Sequence, residues 1–466
     1  MDFGATNNPQ SGLASMSCLS CKERKQKCDK AVRCCSRCER LLLKCHYPKP
    51  ASPPSPPPSS NGSNGSLKGN EALIQGFASI AARGQEYHGQ VLNLILEHRQ
   101  HFEDMTVTFF NSYHKWVPIV HRESFREYRN ATRTDICRGL TTLTLSMCLI
   151  TRPFMDGETP DPLRLSLHKA LSRLFWDPES IAQPTLPLIQ SGVILSSYEY
   201  GQGTSDAAYM IICTCLSMGQ VCGLGKPPPG HDQIQYPFPG IWTPRDEGLR
   251  TWWASLIHER MISLKNGALI RPLNIETVDT LDVAASLENY DLISISFYCE
   301  ARAANFPDQV LDLIRNGSTH SSKKQLTFQS LDQRLLMFLK SLIEQHLGTC
   351  CEAVAISVSA FVHLHQWRIG STDSAFSAQD RLESCDAIEA VIKIIANTGT
   401  SIPQNFPCQS QYSIQLIYQL SVSIRHLQQN GRSHLENWAK LLVVMLEHQR
   451  VRWKIAGEYL SILARN

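Results

Sequence analysis

The chain lacks an uninterrupted apolar run long enough to cross a membrane. The nearest, Ala207 to Leu224, is interrupted by Thr214, Ser217, Gly219 and Gln220 and has no charge asymmetry at its flanks, so it reads as a buried core helix and no membrane partner is expected. Met1 to Ser17 has neither a basic n-region nor an apolar h-region, which excludes the reading as a signal peptide. The Asn-x-Ser/Thr sequons at Asn61, Asn64, Asn130 and Asn316 then carry no expectation of glycosylation. Segments alternating with period two are scarce, which argues against sheet.

Catalytic signatures are missing as well. Gly223-Leu224-Gly225-Lys226 lacks the Gly-x4-Gly-Lys-Ser/Thr spacing of a phosphate loop, and no Gly-x-Ser-x-Gly nucleophile turn occurs. Neither His114 with His121 nor His363 with His365 has the i, i+4 spacing of a helical metal pair. The adjacent Cys350 and Cys351 read as two buried helix thiols in preference to a redox sensor. No enzyme is expected.

Cysteine, by contrast, is plentiful. Of 17 cysteines, seven crowd between Cys18 and Cys45, while the other ten are scattered, mostly in apolar surroundings, which is no disulfide framework and suits a reducing compartment. The crowded stretch reads Cys18-x2-Cys21-x6-Cys28-x6-Cys35-x2-Cys38-x6-Cys45, one Cys-x2-Cys-x6-Cys unit repeated. A Cys-x2-Cys pair aims two sulfurs at one point, and the third cysteine returns to the same side after the chain turns. Zinc takes four ligands in a tetrahedron, so two three-thiolate units each fall one short, and sharing two sulfurs between two ions supplies the deficit. The spacing therefore favours a binuclear zinc cluster with Cys18, Cys21, Cys28, Cys35, Cys38 and Cys45 as ligands. Cys34 is a spare thiol. Cys35 is preferred because it alone makes Cys-x2-Cys with Cys38, and exchange with Cys34 stays open.

Charge is distributed as unevenly as cysteine. From Cys18 to Tyr47 nine Lys or Arg face three Asp or Glu, a net of +6, whereas the rest of the chain carries 36 cations and 39 anions, a net of −3. Four cations against one anion separate Cys21 from Cys28, in the run Lys22-Glu23-Arg24-Lys25-Gln26-Lys27. The corresponding slot of the second unit holds Leu41, Leu42 and Leu43, so the first unit is expected to face a polyanion and the second to pack.

This stretch resembles the DNA-binding domain of the fungal Zn2Cys6 transcription factors. The resemblance implies double-stranded DNA as partner, two Zn2+ ions per chain, bridging by Cys18 and Cys35, base reading of a CGG-type triplet by Arg24 and Lys25, and phosphate contacts by Lys22 and Lys27. It departs from the pattern where Arg33 and Cys34 replace the proline usual before the fourth cysteine. A role in the nucleus as an activator for RNA polymerase II, over a metabolic pathway or gene cluster, follows only by analogy, with the transcription machinery as further partner. A ligand-sensing repressor and a zinc-dependent protein-interaction module stay open.

Residues 1–17 are expected to be disordered and 18–47 to form the cluster domain. Residues 48–70, rich in Pro, Ser, Gly and Asn, read as a linker, with 71–466 forming a large domain. Leu73, Phe77, Ile80, Val91, Leu94, Ile95 and Phe102 recur with partial heptad spacing that Gly76, Gly84 and Gly89 interrupt, leaving both monomeric binding and a homodimer through the larger domain open.

Beyond that, helical patterns succeed one another at Gln90 to Trp116, Leu186 to Tyr200, Ser205 to Cys222, and from Thr243 with Pro244 at the first helical position. Further helices are expected at 287–313, 325–347, 349–369, 378–398, 409–429 and 433–463, giving a small binuclear zinc-cluster domain plus a large all-α regulatory domain. Phe109-Phe110-x2-Tyr113-x4-Pro118-Ile119-Val120-His121-x3-Phe125, Trp252-Trp253 and Gly267-x3-Arg271-Pro272-Leu273 are similar to the middle homology region of the same regulators over about 100–280. That similarity implies an α-helical regulatory domain and a small-molecule effector.

Overall fold

The structure is a computed structural model describing residues 17, 21–22, 26–30, 35–40, 62–83, 86–130, 138–152, 161–226, 244–266, 291–316, 321–346, 351–372, 374–400, 410–429 and 431–465. Two compact units divide the chain, 1–68 and 69–466.

Among the described residues of the small unit, helix α1 (Ser36–Arg40) follows Cys35 directly. The large unit is all-α. It begins with the part of α2 (Gly62–Arg83) from Gly69 onward, followed by α3 (Tyr87–Glu97), α4 (Arg99–Asn111), α5 (Arg122–Asn130), α6 (Arg138–Ile150), α7 (Pro162–Phe175) and the short α8 (Pro178–Ala182). Then come α9 (Leu186–Gly201), α10 (Ser205–Val221), α11 (Pro244–Asn266), α12 (Leu292–Ala303), α13 (Asn305–Asn316) and α14 (Ser321–His346). The last five are α15 (Cys351–Gly370), α16 (Ala378–Thr400), α17 (Gln411–Gln429), α18 (Glu436–Gln449) and α19 (Lys454–Arg465).

Helix α2 starts inside the stretch that composition assigns to a linker. Gly, Ser and Asn are weak helix formers, but its later turns bury Leu73, Phe77 and Ile80, and tertiary packing decides more of helix stability than propensity does. Those residues belong to the large unit's own core, together with Val91, Leu94 and Phe102. The partial heptad pattern is thus an intramolecular packing stripe; Gly76 lies where an added Cβ would come 2.4 Å from Leu94.

Two helices act as hubs. Helix α9 is buried from Leu188 to Gly201 and packs against α6, α7, α10, α11, α17 and α19. Helix α15 does the same among α12, α13, α14, α16 and α17, and α11 touches both sets. On α11 the apolar residues Trp252, Trp253, Leu256, Ile257 and Met261 are buried and Leu249 is half-buried. Its opposite side is buried too, every residue from Thr251 to Leu264, so α11 is an interior helix rather than an amphipathic one. Helix α10 departs in the other direction: Ala208, Ile211, Ile212 and Cys215 are buried, but Met210 and Val221 face solvent. No helix among the described residues is long and apolar enough to cross a membrane.

Three expected helices are each two. Gln90–Trp116 breaks at His98, where φ is −108° and ψ 32°, with no glycine or proline to announce it. The 287–313 stretch breaks at Ala304, because Pro307 sits at the third position of α13, where its missing N–H costs nothing but from where a helix cannot run back unbroken. Its first half is capped by Asp291, whose carboxylate accepts from Ser294 N at 2.9 Å. The 433–463 stretch breaks before Trp453 for tertiary reasons. Arg452 Nη2 donates to the Ile150 carbonyl at 2.7 Å, at the C-terminus of α6, and Trp453 is buried.

Gly201, the last residue of α9, and Gly203 just beyond it take part in this docking. A Cβ on Gly201 would lie 2.1 Å from the Trp453 ring, and one on Gly203, whose φ is +88°, 2.2 Å from the Glu458 carboxylate. The C-terminal helix is thereby keyed onto the end of α9. Tyr459 also stacks on Tyr418 at 3.9 Å.

Gly201→Ala should lower the stability of the chain by about 1–3 kcal/mol through overpacking, and Trp453→Ala by about 3–5 kcal/mol through a cavity. Urea unfolding followed by circular dichroism checks both. Gly370→Ala, with nothing within 4 Å of its Cβ position, is the control expected to leave the midpoint in place.

Candidate functional site

The site in the small unit is built from four of the six repeat cysteines. Cys21 Sγ lies 3.7 Å from Cys35 Sγ and 3.9 Å from Cys38 Sγ, and all three are buried. The Cys35-x2-Cys38 turn closes on itself, with Cys38 N donating to Cys35 Sγ at 3.5 Å, the contact that fixes a sulfur at the start of a helix.

Asp29 holds the other end of that turn. Its carboxylate accepts from the Ser36 backbone N at 3.1 Å and from the Ser36 hydroxyl, so the segment after the first unit is tied to the N-terminus of α1. Lys30 next to it has φ 61°, in the left-handed region that a non-glycine residue seldom adopts.

Among the described residues, two groups of side chains could hold a metal ion: Cys21, Cys35 and Cys38, and Cys28, Asp29 and Cys35, the ligand atoms of each lying within 4.8 Å of one another. Asp29 is already engaged by Ser36, which makes it a positioning group and leaves the sulfurs as donors. Clustered buried thiols are the donor set that zinc takes. Cys35 belongs to both groups. Lys22 and Lys27 are exposed. Cys18, Cys34, Cys45, Arg24 and Lys25 lie outside the described residues.

The large unit carries polar constellations that the sequence did not announce. His365 Nδ1 meets Ser384 Oγ at 2.9 Å and its Nε2 meets Asp332 Oδ1 at 3.0 Å, while Arg368 Nε donates to the same Ser384 oxygen at 2.6 Å. The order Ser, His, Asp invites a catalytic reading, but Ser384 is fully buried beneath Arg368, so the group clamps α14, α15 and α16 together. The other histidines weighed as metal ligands are used singly. His121 contacts Ser124 and Glu123, and His114 lies against the Phe109 and Phe110 rings with burial pushing its pKa down to about 3. Cys351 is exposed at the first position of α15, which corrects its reading as a buried thiol; Cys350 lies outside the described residues.

An apolar cavity of about 40 Å³ lies between α3, α4, α5 and α6, lined by Leu92, Ile95, Phe102, Phe125 and Leu140 among others. That is room for little more than a water, against about 300–1,000 Å³ for sites that enclose drug-sized ligands.

Residues 107–299 match the family model described as fungal specific transcription factor domain. No curated protein matches the chain. The match supports a fungal transcription regulator, and its family is regulatory and non-enzymatic. It contains α9, α10 and α11 and ends within α12, yet α15, α17 and α19 pack against that portion in the same unit.

One titratable group of the large unit responds near neutrality. Burial pushes the Glu352 carboxyl up to about 7, against which hydrogen bonds from Ser410 and Ser413 act only partly. Ser410 ties Glu352, in the first turn of α15, to the start of α17, where its own Oγ accepts from Tyr412 N at 3.2 Å. The folded chain holds this proton to a higher pH than the unfolded chain, whose carboxyl has the ordinary value of 4.5. Its contribution is therefore complete below the ordinary carboxylate range and declines as pH rises toward 7. Glu352→Gln should flatten that part of the stability profile, read as urea midpoint against pH between about 4.5 and 7.

Proposed function

We propose that the chain is a nuclear, sequence-specific DNA-binding transcription regulator whose small unit is a two-zinc cluster. The observation that carries the reading is the shared position of Cys35 between two groups of candidate metal ligands. Six thiolates serving two tetrahedral ions require such sharing, and Cys18 would be the second bridge. Cys21 and Cys28, with Cys38 and Cys45, complete the two shells. Zinc would supply the folding energy of a unit too small to bury a sufficient core, leaving the basic run after Cys21 displayed on a rigid frame.

On that frame Arg24 and Lys25 read base edges of a CGG-type triplet in the major groove, while Lys22 and Lys27 neutralise phosphates. The stretch read as the linker, 48–70, would connect the cluster to the helical unit. The family match supports the second half of the reading, a regulatory helical body, which would convey the bound state to the RNA polymerase II machinery. Activation is the favoured sign, and a small-molecule effector would need a site larger than the cavity described above.

Metal analysis of the full-length chain should return two zinc ions. Cys21→Ser and Cys38→Ser should each lower that content and abolish DNA binding, and Cys35→Ser should do so while Cys34→Ser does not. Selection from random duplex DNA should enrich a CGG-type triplet. Lys25→Ala should cost about 1–3 kcal/mol and relax choice within it, whereas Lys27→Ala should weaken all sequences alike and lower the salt slope by about one. Two bound zinc ions with no enriched sequence would overturn the DNA-reading assignment.

A further inference from the structure

We propose that the exposed face of α14 is a self-association surface, on which two copies of this chain pair through antiparallel α14 helices. The proposal stands apart from the zinc and DNA reading, because every residue it uses lies in the large unit.

Helix α14 is anchored by Phe328, Leu331, Leu335, Phe338 and Leu342, all buried. Its other side carries Leu326, Leu336, Met337 and Ile343 at 66%, 48%, 61% and 45% exposure, four large apolar side chains on one helix. Scattered exposed apolar residues need no explanation, but these fall into a pattern. Leu326, Gln329, Gln333, Leu336, Lys340 and Ile343 follow one another at alternating steps of three and four, the spacing of a coiled-coil seam, with Met337 beside it. The heptad-like stripe of α2 and α3 is already consumed in the core, whereas this one remains in solvent.

What covers it follows from its own order of polarity. Laid antiparallel on a second copy, the seam places Leu326 opposite Ile343 at both ends. Gln329 meets Lys340, and Gln333 meets Leu336 near the two-fold axis. Apolar ends meet apolar ends, and the one seam cation meets an amide oxygen that can accept from it. A parallel pairing would instead stack Lys340 on Lys340.

The face also carries one anion, Glu344, and its only partner among the described residues is Lys340 at 3.8 Å, an exposed pair that costs little to rearrange. With Lys323, in the column of Met337 and Glu344, the face carries two cations and one anion, and it stays close to neutral with little charge preference for an acidic or a basic partner. A second copy meets little net repulsion.

The seam spans about 26 Å at 1.5 Å per residue. One helix pair of that length with polar residues at half its positions is a small interface, so association in the range of about 1–50 μM is expected.

Sedimentation of the full-length, zinc-loaded chain without DNA tests this across that concentration range. The unaltered chain should pass from monomer to dimer. Leu326→Lys with Ile343→Lys in one variant, and Leu326→Glu with Ile343→Glu in another, should each weaken dimerisation at least about tenfold, since like charges then face each other at both ends. Mixed in equal amounts, the two variants should associate again, because the introduced lysines of one then meet the introduced glutamates of the other.

Unchanged thermal melting of both variants would confirm that the exposed positions leave the fold alone. A chain that stays monomeric throughout, variants that dimerise as the unaltered chain does, or folded variants whose mixture does not associate would each overturn the proposal.

Discussion

Burying α9 and α11 on all sides imposes the condition that organises the large unit: the polar groups that their own turns do not satisfy, as they do Ser191, Thr251 and Ser255, need partners on elements brought in from elsewhere in the chain. An unpaired buried donor or acceptor costs about 1–3 kcal/mol, so partners are as binding a requirement as apolar contact. Glu247 accepts from His121 N at 3.0 Å and Gln190 Nε2 at 2.9 Å, joining α11 to α9 and to the turn before α5. Arg250 donates to Ser294, Arg260 to the Ala304 carbonyl and to Asn305, and His258 meets Tyr412 at 3.0 Å. Tyr200 donates to Gln415 across 215 residues of sequence. Helices α12, α13 and α17 are thus required by α11 in chemistry as well as in shape. The unit therefore extends as one body well past the end of the family match.

This condition also explains what the sequence disclosed and what it concealed. Apolar spacing marked most helices, and Pro244 marked one start, because period and capping are local, whereas the Asp291 cap went unread. The polar side of α11 was illegible for the opposite reason: Arg250, His258, Glu259 and Arg260 look like a solvated face until helices far along the chain cover them. The breaks at His98 and before Trp453 carry no local punctuation, and the second exists only because Arg452 and Trp453 have docking positions on α6 and α9. Pro307 was punctuation left unread. In the small unit, ligand spacing is itself local, so the thiol grouping was legible, but Asp29 as the tie to Ser36 was not, since nothing in a single Asp announces which backbone N–H it will accept from.

The two units rest on different physics. The large one has an apolar core of many helices, and its polar groups are tied across that core; no ligand is needed to account for it. The small one has too few apolar residues for a comparable core, and its described buried residues, Cys21, Cys35 and Cys38, are potential metal donors. Under the proposed reading, loss of metal would unfold the reader and leave the body intact. Cys35, which immediately precedes α1, has the Cys38 N–H within reach of its sulfur.

Weak pairing through α14 and a cluster that reads a single triplet would reinforce each other. A triplet recurs too often in a genome to specify a gene, and a tight preformed dimer would commit every chain to paired sites. A seam with a Kd of about 10 μM lies between these extremes. Two chains held on neighbouring sites experience an effective concentration of about 1 mM when their geometry allows contact, so pairing would favour adjacent triplets over isolated ones about 100-fold. That factor corresponds to about 2.7 kcal/mol and needs no further base contact. The polar positions Gln329, Gln333 and Lys340, which weaken the seam in isolation, are on this view what keeps the chains separate until DNA brings them together.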